Sequence, residues 1–243
     1  MMKKNIITSK FNKENLLIVN LHLWPDKSSC SAIIFHIAES FINVFDKVNV
    51  IASKPKRFNS KFTKFELREI DNKSDLNIIR LPLLRENLNP LPRIINALIL
   101  GFNSSLKILF GNYKVVIATS SPPILSSFII SIASKIKRLK FIYYCMDINP
   151  EIGELSGDFK NKILKKFLLE MDKFTCCQAN NVVVHSTAMR KTLQKRYIRK
   201  KCEIKIINSL SVPFESNKIN LTVNKNLEKK IKIIYAGNIG RFQ

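Results

Sequence analysis

Acidic side chains are scarce in this sequence. Eighteen Asp and Glu stand against 41 Lys and Arg, a formal charge of +23 over 243 residues. Such a field draws anionic partners: nucleic acid, acidic lipid headgroups or phosphorylated substrates. A Lys-, Ile- and Asn-rich coding bias would leave the same surface lysines. Glycine is also rare, with six in the whole chain, and neither G-x-G-x-x-G nor G-x-x-x-x-G-K-[ST] occurs. Simple dinucleotide and P-loop sites therefore lose their motif support. There is no G-x-S-x-G, which removes the usual α/β-hydrolase argument. Five cysteines without C-x-x-C spacing argue against a disulfide framework or a zinc site and fit a reducing cytoplasm. The three histidines show no metal-ligand spacing.

Long apolar runs are missing too. The basic start, MMKKNIITSKFNKEN, is followed by LLIVNLHLW, which Asn20 and His22 break, so a signal peptide is not expected. The longest apolar region, Ile94 to Phe110, is interrupted by Asn96, Asn103, two serines and Lys107 and reads as too polar to span a bilayer. The expectation is a soluble cytoplasmic protein, with attachment to a membrane surface left open.

What is present is ordinary for a folded chain: 46% hydrophobic and 24% charged residues. Strand-length apolar runs alternate with helical patterns, which predicts a Rossmann-like α/β fold with a parallel sheet and helices on both faces. Strands are expected at Leu16–Asn20, Val48–Ala52, Asn77–Leu81, Val115–Ala118, Phe141–Tyr144, Val182–Val184 and Glu203–Ile207. Helices are expected at Cys30–Val44, Arg93–Phe110, Ile124–Lys135, Lys160–Cys176 and Ala188–Tyr197. Lys54 to Lys73 reads as a polar, basic connection. The domain plan is a basic tail (1–14), a Rossmann-like unit (15–207), a Lys- and Asn-rich linker (208–230), and a fresh strand with a glycine turn (231–243). A strand and glycine turn normally lead into a helix whose N-terminus can hold an anion. The stop at Gln243 therefore reads as a truncation.

Open parallel sheets bind ligands beyond the carboxyl ends of their strands. The segments there resemble, in order, those of glycosyltransferase family 4. Trp24-Pro25 closes the first strand, and Val48-Asn49-Val50-Ile51-Ala52-Ser53 resembles the family's second strand, with Asp46-Lys47 where Gly-His is common. VVIATSSPP, from Val115, resembles a strand ending in an S-P-P turn, and YCMDINPE, from Tyr144, resembles the D-x-x-P-E loop of members that build bacterial surface polysaccharides. VVVHSTAM, from Val182, resembles V-V-x-S-x-x-M, and the closing YAGNIGRFQ resembles the opening of the family's donor-binding domain. The first loop departs from the pattern: Ser28-Ser29-Cys30-Ser31 stands where the family has a glycine pair.

The resemblance implies the N-terminal half of a GT-B fold, and an acceptor-side half of a sugar-nucleotide-dependent hexosyl or N-acetylhexosaminyl transferase in polysaccharide or glycolipid synthesis. Most of the donor-binding domain is not in the chain, so these residues are expected to be inactive alone. No cofactor is implied; a nucleotide-sugar donor would be a substrate if a donor domain were supplied. Transfer needs a diphosphate pocket, a positioned acceptor hydroxyl and stabilisation of a cationic sugar. Gly237, Asn238, Gly240 and Arg241 suit the diphosphate, and also a plain strand-end turn. Asp147 or Glu151 suits orientation or deprotonation of the acceptor, and equally a helix cap and first-turn acid ahead of Ile152. Trp24, Ser28, Ser29, Ser120 and Ser121 are the acceptor-side candidates, the last two also fitting a plain turn. His22 and His185 read as structural strand-end residues and His36 as helix packing.

The implied partners are a sugar or lipid-linked glycan acceptor, an anionic membrane face touched by lysines of the Lys160–Phe174 and Arg93–Phe110 helices, and a separate donor-domain chain. The rival class is a non-catalytic basic membrane- or nucleic-acid-binding module. Nucleic acid is disfavoured because aromatics are not interleaved with the basic runs.

Overall fold

The computed structural model describes residues 14–26, 28–55, 72–73, 75–85, 90–149, 161–196 and 203–208. The linker expected at 208–230 is described only at residue 208, and the strand and glycine turn at 231–243 lie outside the described residues, as does Glu151.

Eight strands form one sheet: β1 (Asn15–Val19), β2 (Lys47–Ser53), β3 (Asn72–Lys73), β4 (Leu76–Leu81), β5 (Val115–Thr119), β6 (Lys140–Cys145), β7 (Asn181–Val184) and β8 (Glu203–Ile206). Among the described residues five helices connect them: α1 (Ser29–Phe41), α2 (Pro90–Phe110), α3 (Leu125–Ile136), α4 (Lys162–Gln178) and α5 (Thr187–Arg196). The order across the sheet is β3-β4-β2-β1-β5-β6-β7-β8. All pairings are parallel except β3 with β4. The short β3 is an edge that the sequence placed at the end of a loop.

The central strands are buried on both faces, which explains their unbroken apolar runs. Leu17, Val19, Val116, Ala118, Phe141, Tyr143 and Val182 face one core, shared with Leu100 and Ile108 of α2, Ile130 and Ala133 of α3, Cys176 of α4 and Leu193 of α5. Leu16, Ile18, Val48, Val50, Val115 and Ile117 face the other, shared with Ile34, Phe35 and Ala38 of α1. Among the described residues α1 is the one helix on that side.

Chain direction across the sheet reverses between β1 and β5. From β1 the chain moves outward through β2 and β4; from β5 it moves the other way through β6, β7 and β8. This is the doubly wound arrangement, and it opens a crevice at the carboxyl ends of β1 and β5. Local signals set the helix starts: Ser28 caps α1, accepting from the Ser31 amide at 3.2 Å while Ser31 Oγ accepts from the Ser28 amide at 3.3 Å. Asn161 caps α4, its Oδ1 accepting from the amides of Ile163 and Leu164. Pro90 and Pro92, expected just before a helix, sit in the first turn of α2, where a missing N–H costs nothing.

Helix α2 is long and apolar enough, by length and composition, to cross a membrane. Of the polar residues that argued otherwise, Asn96, Ser104 and Ser105 are buried against the fold, while Asn103 and Lys107 are exposed.

Candidate functional site

At the crevice the ends of β1 and β5 are tied together by side chains. Thr119 Oγ1 donates to Asn20 Oδ1 at 2.6 Å, both residues fully buried, and Asn20 Nδ2 in turn donates to the His22 carbonyl. The Leu21 amide donates to the Ser121 carbonyl at 3.0 Å, stitching the two loops above the sheet. In the first loop His22 Nδ1 meets Asp26 Oδ2 at 2.9 Å, with Asp26 buried. Arg80 at the end of β4 reaches over and donates to the Trp24 carbonyl at 2.7 Å. The Trp24 ring leans on Phe35 of α1, centroids 5.3 Å apart, and is half-buried. The Trp24–Pro25 and Ser121–Pro122 peptides are both cis.

Of the predicted serines, Ser28 is occupied as the α1 cap. Ser29 opens α1. Ser120 is buried, and its Oγ accepts from the amides of Met146 at 3.0 Å and Asp147 at 3.1 Å. It holds the loop after β6 rather than pointing outward. Ser121 is half-buried on the turn, and no described residue hydrogen-bonds its hydroxyl. The turn then enters α3 through Ile124 at φ 59°, without a side-chain cap. A β-branched residue in that region is strained and persists only because its surroundings, here full burial, insist on it.

Asp147 follows β6 directly. Partial burial of its carboxyl raises its pKa above the ordinary aspartate value, and His185 nearby lowers it by a smaller amount. His185 stands at the end of β7, its ring edge-on to Tyr144 at 5.3 Å, and Nδ1 lies 3.2 Å from the Ile207 carbonyl. That contact requires the proton on Nδ1, so the neutral ring keeps Nε2 as its basic nitrogen. His185, read from the sequence as a strand-end residue, is close enough for its charge to act on the Asp147 carboxylate.

Below this loop lies a buried network that sequence patterns did not show. Tyr143 OH donates to Asp172 Oδ1 at 3.2 Å, and Arg196 Nη1 lies 2.8 Å from Asp172 Oδ2 and 3.0 Å from the Asn149 carbonyl. Burial, with the nearby carboxylates of Asp172 and Asp147, pushes the Cys145 thiol far up; Arg196 opposes them. That thiol is a neutral packing group. Among the described residues no cluster of three His, Cys, Asp or Glu could hold a metal ion. A hollow between α1 and the sheet, lined by Leu16, Phe41, Ile117 and Lys140, lies at the amino ends of the strands, away from these groups.

A doubly wound parallel sheet with helices on both faces defines a Rossmann-like α/β unit. Its fold is that of GT-B glycosyltransferases. It superposes on sucrose-phosphate synthase from Thermosynechococcus elongatus with a TM-score of 0.52 at 10% identity, covering 81% of this chain and 48% of that one. UGT89C1 of Arabidopsis thaliana complexed with UDP gives a TM-score of 0.50 at 14% identity, covering 83% of this chain and 53% of that one. The chain therefore spans about half the length of these enzymes. No protein-family profile and no curated protein matches its sequence.

Proposed function

We propose that these residues form the acceptor-side half of a sugar-nucleotide-dependent glycosyltransferase, of the family 4 type, acting in surface polysaccharide or glycolipid synthesis at the inner face of the plasma membrane. The observation that supports it is Asp147, whose amide donates to the Ser120 hydroxyl at the carboxyl edge of the sheet and whose carboxyl has a raised pKa that the charge of His185 opposes. A carboxylate so placed can orient an acceptor hydroxyl and take its proton as the hydroxyl oxygen forms the new glycosidic bond. Trp24 offers an aromatic face for a sugar ring, and the Ser121 hydroxyl a hydrogen bond to it. Glu151 stays a second acid of this loop. Gly237, Asn238, Gly240 and Arg241 belong in this reading to the donor side, where amides and a guanidinium would stabilise the departing diphosphate.

In this reading most of the donor side is not among these 243 residues. Alone, the chain should bind glycan without turning over a nucleotide sugar. The test is ligand-observed NMR with a panel of hexoses, N-acetylhexosamines and undecaprenyl-diphosphate sugars, on the full chain and on Asp147→Asn and Trp24→Ala. Binding that each substitution weakens by about tenfold supports the reading; at Asp147 that is the size of a lost hydrogen bond to a charged group. Transfer by the chain alone, or no glycan bound at all, overturns it.

A further inference from the structure

Two helices of this fold carry their apolar faces outward. Helix α2 buries Asn96, Ala97, Gly101, Ser104 and Ser105 beside Leu100 and Ile108. Its large residues are left in solvent: Leu91 is 57% exposed, Phe102 57%, Leu106 54% and Phe110 86%. Helix α3 repeats the pattern, burying four serines while Ile132 and Ile136 are exposed. A helix at the surface of a soluble protein normally does the reverse.

The small inward residues let the helices approach closely. A Cβ on Gly101 would lie 3.1 Å from Ile129 Cδ1 and 3.2 Å from Ser126 Cα, and Ser105 Oγ donates to the Ile129 carbonyl at 3.3 Å. Packing through Gly and Ser with large side chains outside is how helices associate where the surroundings are lipid. Helix α4 extends the surface. Ile163, Phe167 and Phe174 share one of its faces by helical spacing. Phe174 meets Phe128 of α3 with centroids 5.3 Å apart, so the exposed Ile163 and Phe167 continue the α3 face.

Charge selects the occupant. From Asn87 to Met146 there is no Asp or Glu. The charged residues on and just beyond α2 and α3 are Arg93, Lys107, Lys135, Lys137 and Arg138, and α4 begins with Lys162, Lys165 and Lys166. Lys135 lies over the Phe174 ring at 5.6 Å, at the seam of the apolar surface. A second copy meeting this face would bring lysine against lysine; among the described residues of these helices the one exposed acid is Glu170 of α4, already 3.5 Å from Lys173. An anionic bilayer supplies both an apolar interior and phosphate charge.

We propose that the outer face of α2, α3 and α4 seats this protein on an anionic lipid bilayer, its large apolar side chains at the headgroup–acyl boundary and its lysines on the phosphates. Helix α2 lies flat along the surface over about 30 Å. This docking deepens the membrane location given in the proposed function and rests on that part of the reading; its test is separate from that of glycan binding.

The test is flotation of the full chain with vesicles of equimolar phosphatidylglycerol and phosphatidylcholine, and with phosphatidylcholine alone. The chain should float with the anionic vesicles, less with the neutral ones, and less as salt rises. Phe102→Asp combined with Phe167→Asp should lower the partition coefficient by at least about tenfold. Lys135→Gln and Lys166→Gln should each lower it about fivefold, and Lys47→Gln, on β2, should change nothing. Circular dichroism checks folding, and Phe110→Asp, at the exposed end of α2, replaces the double variant if that one does not fold.

Failure of the native chain to float, or equal flotation of the apolar-face variants, overturns the proposal. So does dimerisation that these substitutions abolish without vesicle binding, which would assign the face to a second copy. None of these outcomes touches glycan binding at Asp147.

Discussion

Arg196, in the last turn of α5, and Asp172, midway along α4, form a buried ion pair with Nη1 2.8 Å from Oδ2. The same guanidinium nitrogen donates to the Asn149 carbonyl in the loop that carries Asp147. Two helices and the candidate site are thus joined through one side chain. Removing either partner leaves a buried charge uncompensated. Arg196→Ala and Asp172→Ala should each lower stability by about 3–5 kcal/mol in urea unfolding. The paired change Asp172→Leu with Arg196→Met should recover much of that loss, because burying two apolar groups avoids desolvating two charges.

Ser120 makes a narrower prediction. Its hydroxyl accepts from two amides, so Ser120→Ala leaves both without a partner and should cost about 1–3 kcal/mol. Amide exchange at Met146 and Asp147 should quicken more than elsewhere. Unchanged exchange there would mean the hydroxyl is not what holds the loop.

Asp147 gives a pH dependence of known sign. Its folded pKa is raised above the ordinary 3.8, chiefly by burial, so the folded state holds this proton more tightly than the unfolded chain. The contribution to stability is full below 3.8 and is lost as pH rises through the raised value. Asp147→Asn should therefore leave the protein at least as stable as the parent at neutral pH, with the gap between the two closing in acid. Any glycan binding that needs the carboxylate should fall as pH drops through that raised value, above where an ordinary aspartate would titrate.

Gly101 tests the contact between α2 and α3. Alanine in a helix interior gains about 1 kcal/mol over glycine, but here its Cβ would press on the Ser126 backbone at 3.2 Å. A larger side chain has no such compensation. Gly101→Leu should wedge α2 from α3 and destabilise by about 1–3 kcal/mol or more. A melting temperature unmoved by Gly101→Leu would contradict the close packing on which the outward apolar face depends.

The strand and helix expectations from hydrophobic period agree with the observed elements to within a few residues at their ends. Buried parallel strands must be apolar on both faces, and runs such as VVIAT and NVVV have no other use. The carboxyl-edge loops followed from that order, and with them Asp147 and Ser121. What Ser120 and Ser28 do was not legible, because a hydroxyl in a turn looks the same whether it holds a backbone or a ligand. Arg196 gave no signal either: in a chain with 41 basic residues, one that is buried and paired cannot be told from those in solvent.

The sequence by itself determined the layering, since the period of apolar residues fixes which segments are strands and helices and local capping decides where helices begin. It also determined the charge that surrounds any site. Tertiary structure alone decided the rest. The reversal between β1 and β5 put Asn20 against Thr119, residues 99 apart in the chain. Packing chose the small side of α2 and α3 to face inward, turning their bulky apolar residues to solvent. These are choices between partners distant in sequence, and periodicity, which compares a residue only with its neighbours, does not contain them.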